Sequence, residues 1–177
     1  AEVTELIPEL LQRHVSALVL FTSWRQLNAV VAGLSKPLAE GLLVQGEGSK
    51  QALLVEHRRR IDEGQSSYLF GVASFSEGLD LPGDYCRHVV IIKLPFSVPD
   101  DPIDQAIAEW AEAQGRNAFY EISVPDASLK LVQACGRLIR SESDYGTISM
   151  LDKRIVTQRY GRALIESLPP FRLDLPR

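Results

Sequence analysis

Five short apolar runs alternate with helical patterns along this chain, and this alternation constrains the fold more than any other feature. The runs are rich in branched residues and read ALVLFT, GLLVQG, SYLFGVA, HVVIIKL and GTISMLD. Apolar residues at helical spacing predict helices over 23–34, 50–63 and 160–168. Continuous apolar runs are typical of strands that helices cover on both faces of a parallel sheet. The sequence therefore predicts an α/β fold with a mostly parallel sheet and helices on both faces.

The second predicted helix, over 50–63, has clear signals at both ends. Ser49 is expected to cap its start, and Gly64 is expected to end it. His57 to Arg60 are expected to face solvent. The polar side of this helix is therefore predicted to lie away from the sheet.

A proline-rich, acidic stretch interrupts the alternation between Pro95 and Ala127. Four prolines punctuate it, and apolar spacing predicts a short helix over 103–112. We interpret the stretch as an insertion at about 95–127 that crosses the sheet edge. Because 177 residues is a common length for one domain, and no linker or repeat is visible, the sequence predicts a single domain over 1–177.

The charge of the chain is acidic overall but unevenly distributed. A net charge of −4 argues against a domain that coats nucleic acid through bulk positive potential. Seven acidic residues face one basic residue over 100–129, whereas seven basic residues face three acidic ones over 130–162. An anion site is therefore expected in the later segment.

Several common classes of protein lack their signatures in this sequence. The two cysteines, Cys86 and Cys135, form no C-x-x-C pair, and the three histidines show no metal-binding spacing, so no metal site is predicted. The sequence GEGSK lacks the arrangement of a phosphate loop, and no G-x-S-x-G elbow occurs. The acidic amino terminus, broken by Pro8, does not resemble a signal peptide, and no apolar run reaches the roughly 18 residues of a membrane span. A cytoplasmic protein with no membrane contact is expected.

The stretch QACGRLIRS carries the strongest candidate for an anion site. Gln133, Arg137 and Arg140 are four and three residues apart, which predicts one face of a continuous helix. The planar guanidinium fork suits phosphate oxygens and stays charged. The alternative is an amphipathic helix whose arginines are merely solvated. A second, apolar stripe is expected to anchor this helix and comprises Leu129, Val132, Gly136 and Ile139.

Two further segments follow predicted strands, where open parallel sheets gather ligands. In FTSWRQL, the hydroxyls of Thr22 and Ser23 and the nearby Arg25 could grip a nucleic-acid phosphate, although Ser23 could also simply cap a helix.

In GVASFSEGLDLPGD, Glu77 and Asp80 could orient arginines or contact a ribose. Gly78 would permit a backbone conformation or a close approach that a side chain prevents. The alternative for this segment is a surface loop with solvated carboxylates.

In chain order, three segments resemble motifs IV, V and VI of superfamily 2 helicases. They read FTSWRQL, ASFSEGLDLPGD and QACGRLIRSESDYGTISMLDKR, and the resemblance extends over nearly all of the chain from Ala17 onward. The similarity is to the XPD and DinG group of DNA helicases, and most of all to its bacterial DinG branch. This resemblance implies the second RecA-like motor lobe, which closes over ATP and Mg²⁺ held mainly by a first lobe that this sequence lacks. An iron–sulfur cluster occurs in relatives, but this chain lacks the cysteine quartet that binds it.

The resemblance also implies roles for individual residues. Arg140 is the expected finger on the transferring phosphoryl group, Arg137 lies at the phosphates, and Gln133 senses the same phosphate or its attacking water. The resemblance assigns the nucleotide side of the cleft to Glu77, Gly78 and Asp80, and the single-stranded DNA backbone to Thr22, Ser23 and Arg25.

The function implied is that of one of the two lobes of a helicase motor. The resemblance implies a monomeric ATP-dependent DNA helicase, acting in DNA repair and moving 5′ to 3′ on single-stranded or forked DNA, in which this lobe alone is inactive. The alternative is a non-catalytic nucleic-acid or protein-binding module that keeps a RecA-like fold. An ordinary Rossmann domain would need G-x-G-x-x-G after the first strand, which FTSWRQL does not supply.

Overall fold

All five predicted strands are present and form one parallel sheet in the computed structural model, which describes residues 2–97 and 101–175. The order in the sheet is β2-β3-β1-β4-β5, so β1 lies at its centre. Every neighbouring pair is parallel. The strands are β1 (Ser16–Phe21), β2 (Leu42–Val44), β3 (Ser67–Val72), β4 (His88–Ile91) and β5 (Thr147–Met150).

The chain divides into two compact units. The first comprises residues 2–93 and 134–152 and contains the whole sheet. The second comprises the described residues of 94–133 and 153–175 and so includes most of the predicted insertion. Residues 98–100 of that insertion, and residues 1, 176 and 177 of the predicted domain, lie outside the described residues.

The two helices predicted after the first and second strands of the first unit are present, whereas two short 3-10 turns join its third and fourth strands. The helices of this unit are α1 (Glu2–Leu11), α2 (Trp24–Gly33), α3 (Lys36–Glu40) and α4 (Lys50–Asp62). The second unit contains α5 (Pro102–Ala113), most of α6 (Val124–Cys135), α7 (Arg154–Thr157) and α8 (Arg159–Glu166).

Serine caps set the start of two helices that follow strands. Ser23 Oγ accepts a hydrogen bond from Gln26 N at 3.2 Å, and Ser49 Oγ accepts one from Ala52 N at 3.1 Å. Each bond satisfies an amide that has no partner within its helix. The predicted cap at Ser49 is therefore confirmed.

The amino-terminal segment forms a helix that the sequence analysis did not predict. Pro8 lies inside α1, where it removes only one backbone hydrogen bond. Burial of Ile7, Leu10 and Leu11 stabilises the helix in return. The interpretation of Pro8 as a break was wrong because tertiary packing outweighs the local penalty.

The core of the first unit is built around β1. All six of its residues are buried, as expected for a central parallel strand. The rings of Phe21 and Phe70 lie 5.6 Å apart between neighbouring strands. Leu27 and Val30 of α2 are buried in the same cluster, so this helix covers one face of the sheet.

The second unit has a small aromatic cluster of its own. The ring centroids of Phe96, Phe119 and Tyr160 lie between 5.2 and 5.4 Å from one another. Nearby, the Lys130 ammonium lies 2.9 Å from the carboxylate of Asp126. The ring contacts of Tyr160 join residues of the predicted insertion to the start of α8.

Histidine side chains tie the amino-terminal edge of the sheet together. His57 of α4 is fully buried, and its ring nitrogens lie 2.8 Å from Ser67 Oγ and 2.7 Å from the Tyr85 carbonyl oxygen. His88 lies 2.8 Å from Ser149 Oγ. The prediction that His57 faces solvent was wrong, because its hydrogen bonds to Ser67 and Tyr85 allow the polar ring to be buried.

Gly146 precedes β5 in a position that admits no side chain. A methyl group there would lie 2.3 Å from the Arg87 carbonyl oxygen and 2.6 Å from Leu138 Cδ1. We expect Gly146→Ala to lower the free energy of unfolding by about 1–3 kcal/mol, because main chain must move to relieve the clash. Gly48→Ala is the control, since no atom lies within 4 Å of the added methyl group. Equal denaturant midpoints for the two variants would contradict the structure.

Burial of the histidines predicts a loss of stability on mild acidification. Burial lowers the pKa of His57, and burial together with His14 lowers the pKa of His88 to about 4. Below about pH 6.5 the unfolded chain therefore binds more protons than the folded chain, and the free energy of unfolding falls. Denaturant titrations at pH 7 and pH 5 measure this fall. We expect a smaller fall in His88→Asn, and equal stability of the unsubstituted chain at both pH values would refute the assignment.

Candidate functional site

The loop that follows β3 forms the centre of the candidate site. A short 3-10 turn, Ala73–Ser76, leads into residues 77–81. The side chains of Leu79 and Leu81 are buried at 1% exposure each, whereas Glu77, Gly78 and Asp80 are exposed. The loop is thus anchored by two leucines while its polar residues remain accessible.

Glycine shapes this loop at two positions. Gly78 has a φ of +68°, and a methyl group there would meet no atom within 4 Å, so the backbone conformation is what requires glycine. A methyl group at Gly71, near the end of β3, would lie 2.6 Å from the Phe75 side chain. The turn can therefore fold Phe75 closely over β3 and direct the loop that follows.

Arg137 and Arg140 lie in a turn after α6, because the helix ends at Cys135. Arg137 N bonds to Ala134 O at 3.1 Å, and Leu138 N bonds to Cys135 O at 3.0 Å, which tightens the chain after the helix. The prediction of one continuous helix from Gln133 to Arg140 was therefore wrong. Gln133 is exposed on the last turn of α6 and belongs to the second unit, whereas both arginines belong to the first.

The prediction that Leu129 and Ile139 belong to a buried apolar stripe that anchors this segment was also wrong. Leu129 is 57% exposed and Ile139 is 40% exposed. The same sequence contains a second stripe at helical spacing, and that one is buried. It comprises Ala127, Leu131, Ala134, Cys135 and Leu138.

The two arginines converge on one main-chain oxygen of the loop after β3. Arg137 Nη1 donates a hydrogen bond to Leu79 O at 2.8 Å, and Arg140 Nη2 donates to the same oxygen. A carbonyl oxygen has two lone pairs and can accept both. The structure thus brings both predicted arginines together beside Glu77, Gly78 and Asp80.

The electrostatics of this pair suit an anion. Burial, and then the like charge of Arg140, lower the pKa of Arg137, while Asp80 acts in the opposite direction. Arg137 Nε is buried and has no hydrogen-bond partner among the described residues. Two adjacent guanidinium groups with donors to spare could bind a phosphate group.

Asp144 ties the arginine turn to the loop, although the sequence analysis did not select it. Its carboxylate accepts hydrogen bonds from Arg140 N at 2.8 Å, Ser141 N at 2.8 Å and Gly83 N at 3.2 Å. These bonds, the one from Arg140 N most of all, lower the pKa of Asp144. A serine followed three residues later by an acidic residue, whose side chain can reach back to the serine amide, is a sequence signal that could have found it.

Two cations of α4 also bind this loop and were missed by the sequence analysis. Lys50 Nζ donates a hydrogen bond to Glu77 O, and Arg58 Nη2 donates to Asp80 O. No motif marks these residues, because their acceptors are main-chain oxygens.

Thr22, Ser23 and Arg25 are exposed at the carboxyl-terminal end of β1. Ser23 caps α2, which was one of the two roles that the sequence predicted for it. Because β1 and β3 are parallel neighbours, this turn and the loop after β3 follow strands that end at the same edge of the sheet.

Two absences hold for the residues that the structure describes. Over 2–97 and 101–175, no group of three or more His, Cys, Asp or Glu side chains could hold a metal ion. In the same ranges, every helix is too short or too polar to span a bilayer.

Comparison with known proteins assigns the family. The sequence model of the helicase C-terminal domain matches residues 7–171, and the chain belongs to this family. It is 50% identical over 170 residues to the ATP-dependent DNA helicase DinG of Photobacterium profundum, covering 94% of this chain and 24% of that protein. It is 39% identical over 165 residues to the protein of the same name from Escherichia coli (strain K12), covering 93% and 23%. The chain thus spans about a quarter of the length of these relatives.

Solved structures show the same RecA-like α/β fold. The structure named "XPD_APO" has a TM-score of 0.73 at 22% identity, covering 92% of this chain and 33% of that one. The structure named "XPD_Helicase" has a TM-score of 0.73 at 20% identity, covering 93% and 30%. The predicted fold class and family are therefore confirmed.

The hydrogen bonds of Asp144 predict that the turn containing Arg137 and Arg140 depends on the negative charge of the Asp144 carboxylate. We expect Asp144→Asn to lower the melting temperature, because the carboxylate that three main-chain amides share loses its charge. Glu142→Gln, an equivalent change at an exposed position in the same turn, is the control. Thermal unfolding monitored by circular dichroism distinguishes them, and coincident curves would contradict the role of Asp144.

Proposed function

We propose that this chain is the second motor lobe of a DinG-type ATP-dependent DNA helicase, contained in a single domain with an insertion at about 95–127. The convergence of Arg137 and Arg140 on Leu79 O carries the proposal. It concentrates two positive charges beside the loop that follows β3, at the edge of a parallel sheet where ligands bind. The family and the names of the two relatives support the same function.

Within this proposal, Arg140 neutralises charge on the transferring phosphoryl group and Arg137 binds the adjacent phosphate oxygens. Arg137 Nη1 uses one donor on Leu79 O, which leaves other guanidinium donors for phosphate oxygens. Glu77, Gly78 and Asp80 line the nucleotide side of the cleft. We assign to Gln133 the role of sensing the phosphate or its attacking water.

The nucleotide is ATP, and most of its contacts belong to a first lobe outside this chain. The Mg²⁺ that accompanies ATP screens charge on its phosphates, and we assign its protein ligands to that first lobe. An iron–sulfur cluster, where the full-length protein has one, also belongs outside this chain, in which Cys86 and Cys135 are both buried.

The DNA partner is single-stranded or forked DNA, bound through the backbone by Thr22, Ser23 and Arg25. Ser23 Oγ accepts from Gln26 N, which leaves its hydroxyl hydrogen able to donate to a phosphate oxygen. Arg25 adds a positive charge at the same exposed turn. These residues would position the strand without reading its sequence.

Movement follows from differential binding of ATP to the closed arrangement of two lobes. Hydrolysis removes that preference, and alternating grip on one strand converts the cycle into translocation. We assign the direction 5′ to 3′, a monomeric motor, a cytoplasmic location and a role in DNA repair.

The finger assignment predicts a large loss of turnover. In the full-length protein, Arg140→Ala is expected to lower DNA-stimulated ATP hydrolysis by roughly 10³- to 10⁵-fold, as for other arginine fingers. Arg162→Ala is the control, because that side chain pairs with Glu166 at 2.7 Å and is 87% exposed. Phosphate release measured with and without single-stranded DNA gives the result. Normal turnover of Arg140→Ala would rule out the assignment.

Two measurements on the present chain alone, of ATP hydrolysis and of single-stranded DNA binding at two salt concentrations, separate the two functions that the sequence left open. A half-motor hydrolyses no ATP and binds single-stranded DNA weakly. Tight binding of DNA by this chain alone, with a steep dependence on salt, would instead favour a self-sufficient binding module.

A further inference from the structure

Helix α4 holds the main chain of the segment that follows β3. Lys50 Nζ donates to Glu77 O, Arg58 Nη2 donates to Asp80 O, and His57 Nε2 lies 2.7 Å from Tyr85 O. Exposed loops commonly satisfy their carbonyl oxygens with water. Here two cations and a buried imidazole of one helix do so, which gives stronger and more directional bonds.

The helix that supplies these groups is itself fixed to the sheet. Leu53 is buried at 7% exposure and His57 at 0%, and His57 Nδ1 lies 2.8 Å from Ser67 Oγ at the start of β3. Arg60 Nη1 also donates to Gly41 O at 2.8 Å, just before β2. The packing of α4 against the sheet therefore sets the positions of Lys50 and Arg58. Their hydrogen bonds in turn fix the main chain of the loop relative to the sheet.

The two carbonyl groups that α4 holds flank the one that receives the arginines. Glu77 O and Asp80 O lie on either side of Leu79 O in the chain. Because peptide units are planar and only two dihedral angles per residue are free, fixing the carbonyl groups two residues before and one residue after Leu79 restricts the direction of the Leu79 carbonyl. The buried side chain of Leu79 restricts it further.

The Leu79 carbonyl in turn sets the spacing of two like charges. Arg137 and Arg140 repel each other, and the shared acceptor is what holds their guanidinium groups side by side. Each guanidinium has five donors, so a bond to Leu79 O leaves others for a phosphate. A small displacement of this oxygen would move both groups away from a productive position.

We propose that Lys50 and Arg58 are positioning residues for ATP hydrolysis, which hold the 77–81 loop so that the Leu79 carbonyl presents Arg137 and Arg140 to the phosphates. This inference rests on the proposed function. The two residues act through the arginines and do not themselves contact the nucleotide. Because ATP is held mainly by the first lobe, their loss lowers kcat and leaves the KM for ATP nearly unchanged.

The test uses Lys50→Met and Arg58→Met in the full-length protein, with two matched controls. Arg59→Met changes the neighbouring residue of α4, whose side chain binds Glu56 and Glu63. Lys36→Met removes an exposed lysine that pairs with Glu40 at 3.8 Å. DNA-stimulated phosphate release over a range of ATP concentrations gives kcat and KM for each variant.

We expect kcat to fall roughly 5- to 50-fold in Lys50→Met and Arg58→Met, as for other losses of alignment remote from the reacting atoms. The KM for ATP should change by less than about twofold, and both controls should retain kcat within about twofold. Lys50→Arg and Arg58→Lys should recover part of the loss, because each retains a charged donor. A merely structural role would lower the folded fraction, which circular dichroism measures, and would leave the kcat of the folded protein unchanged.

Amide hydrogen exchange on the present chain supplies a readout that needs no catalysis. Leu79 N bonds to Ser76 O at 3.3 Å, and its exchange should accelerate in Lys50→Met and Arg58→Met but not in Arg59→Met. Amides of β3 should be unaffected in all three variants. Unchanged exchange of the Leu79 amide in both Lys50→Met and Arg58→Met overturns the proposal.

The outcomes separate this proposal from the proposed function. An unsubstituted full-length protein without DNA-stimulated ATPase activity overturns the function and this assignment with it. An active protein in which Lys50→Met and Arg58→Met match their controls overturns the positioning role alone.

Discussion

The burial of β1 between β3 and β4 is the constraint on which the rest of the first unit depends. All six residues of β1 are buried, so the strand must be central and its neighbours must cover it on both edges. Since both neighbours are parallel to it, the segments after the three strands emerge at one edge of the sheet. The candidate DNA turn and the candidate nucleotide loop therefore share that edge.

At this edge, the main chain rather than acidic side chains organises the cations. Leu79 O receives Arg137 and Arg140, while the carbonyl groups of Glu77 and Asp80 receive Lys50 and Arg58. A carbonyl oxygen carries only partial charge, so it aligns a guanidinium group without neutralising it. The positive charge remains available to an anionic ligand, which a salt bridge to a carboxylate would have reduced.

Local sequence patterns predicted the strands and several helices because those patterns are set by neighbours in the chain. All five strands were found from their apolar runs, and the Ser49 cap was found from its position. The predictions that failed depended on distant contacts. Burial of His57 needs Ser67 and Tyr85, and the helix over Pro8 needs the packing of α1.

The sequence by itself determined the parallel α/β class and the family, and it marked Arg137 and Arg140 as candidates, because apolar periodicity and motif order are properties of the chain. It could not show that α6 ends at Cys135, since two apolar stripes share the same helical spacing and only packing selects between them. The tertiary structure alone decided that both arginines meet at Leu79 O and that α4 holds the neighbouring carbonyl groups. Main-chain acceptors are identical in every residue, so no sequence pattern marks which of them will be used.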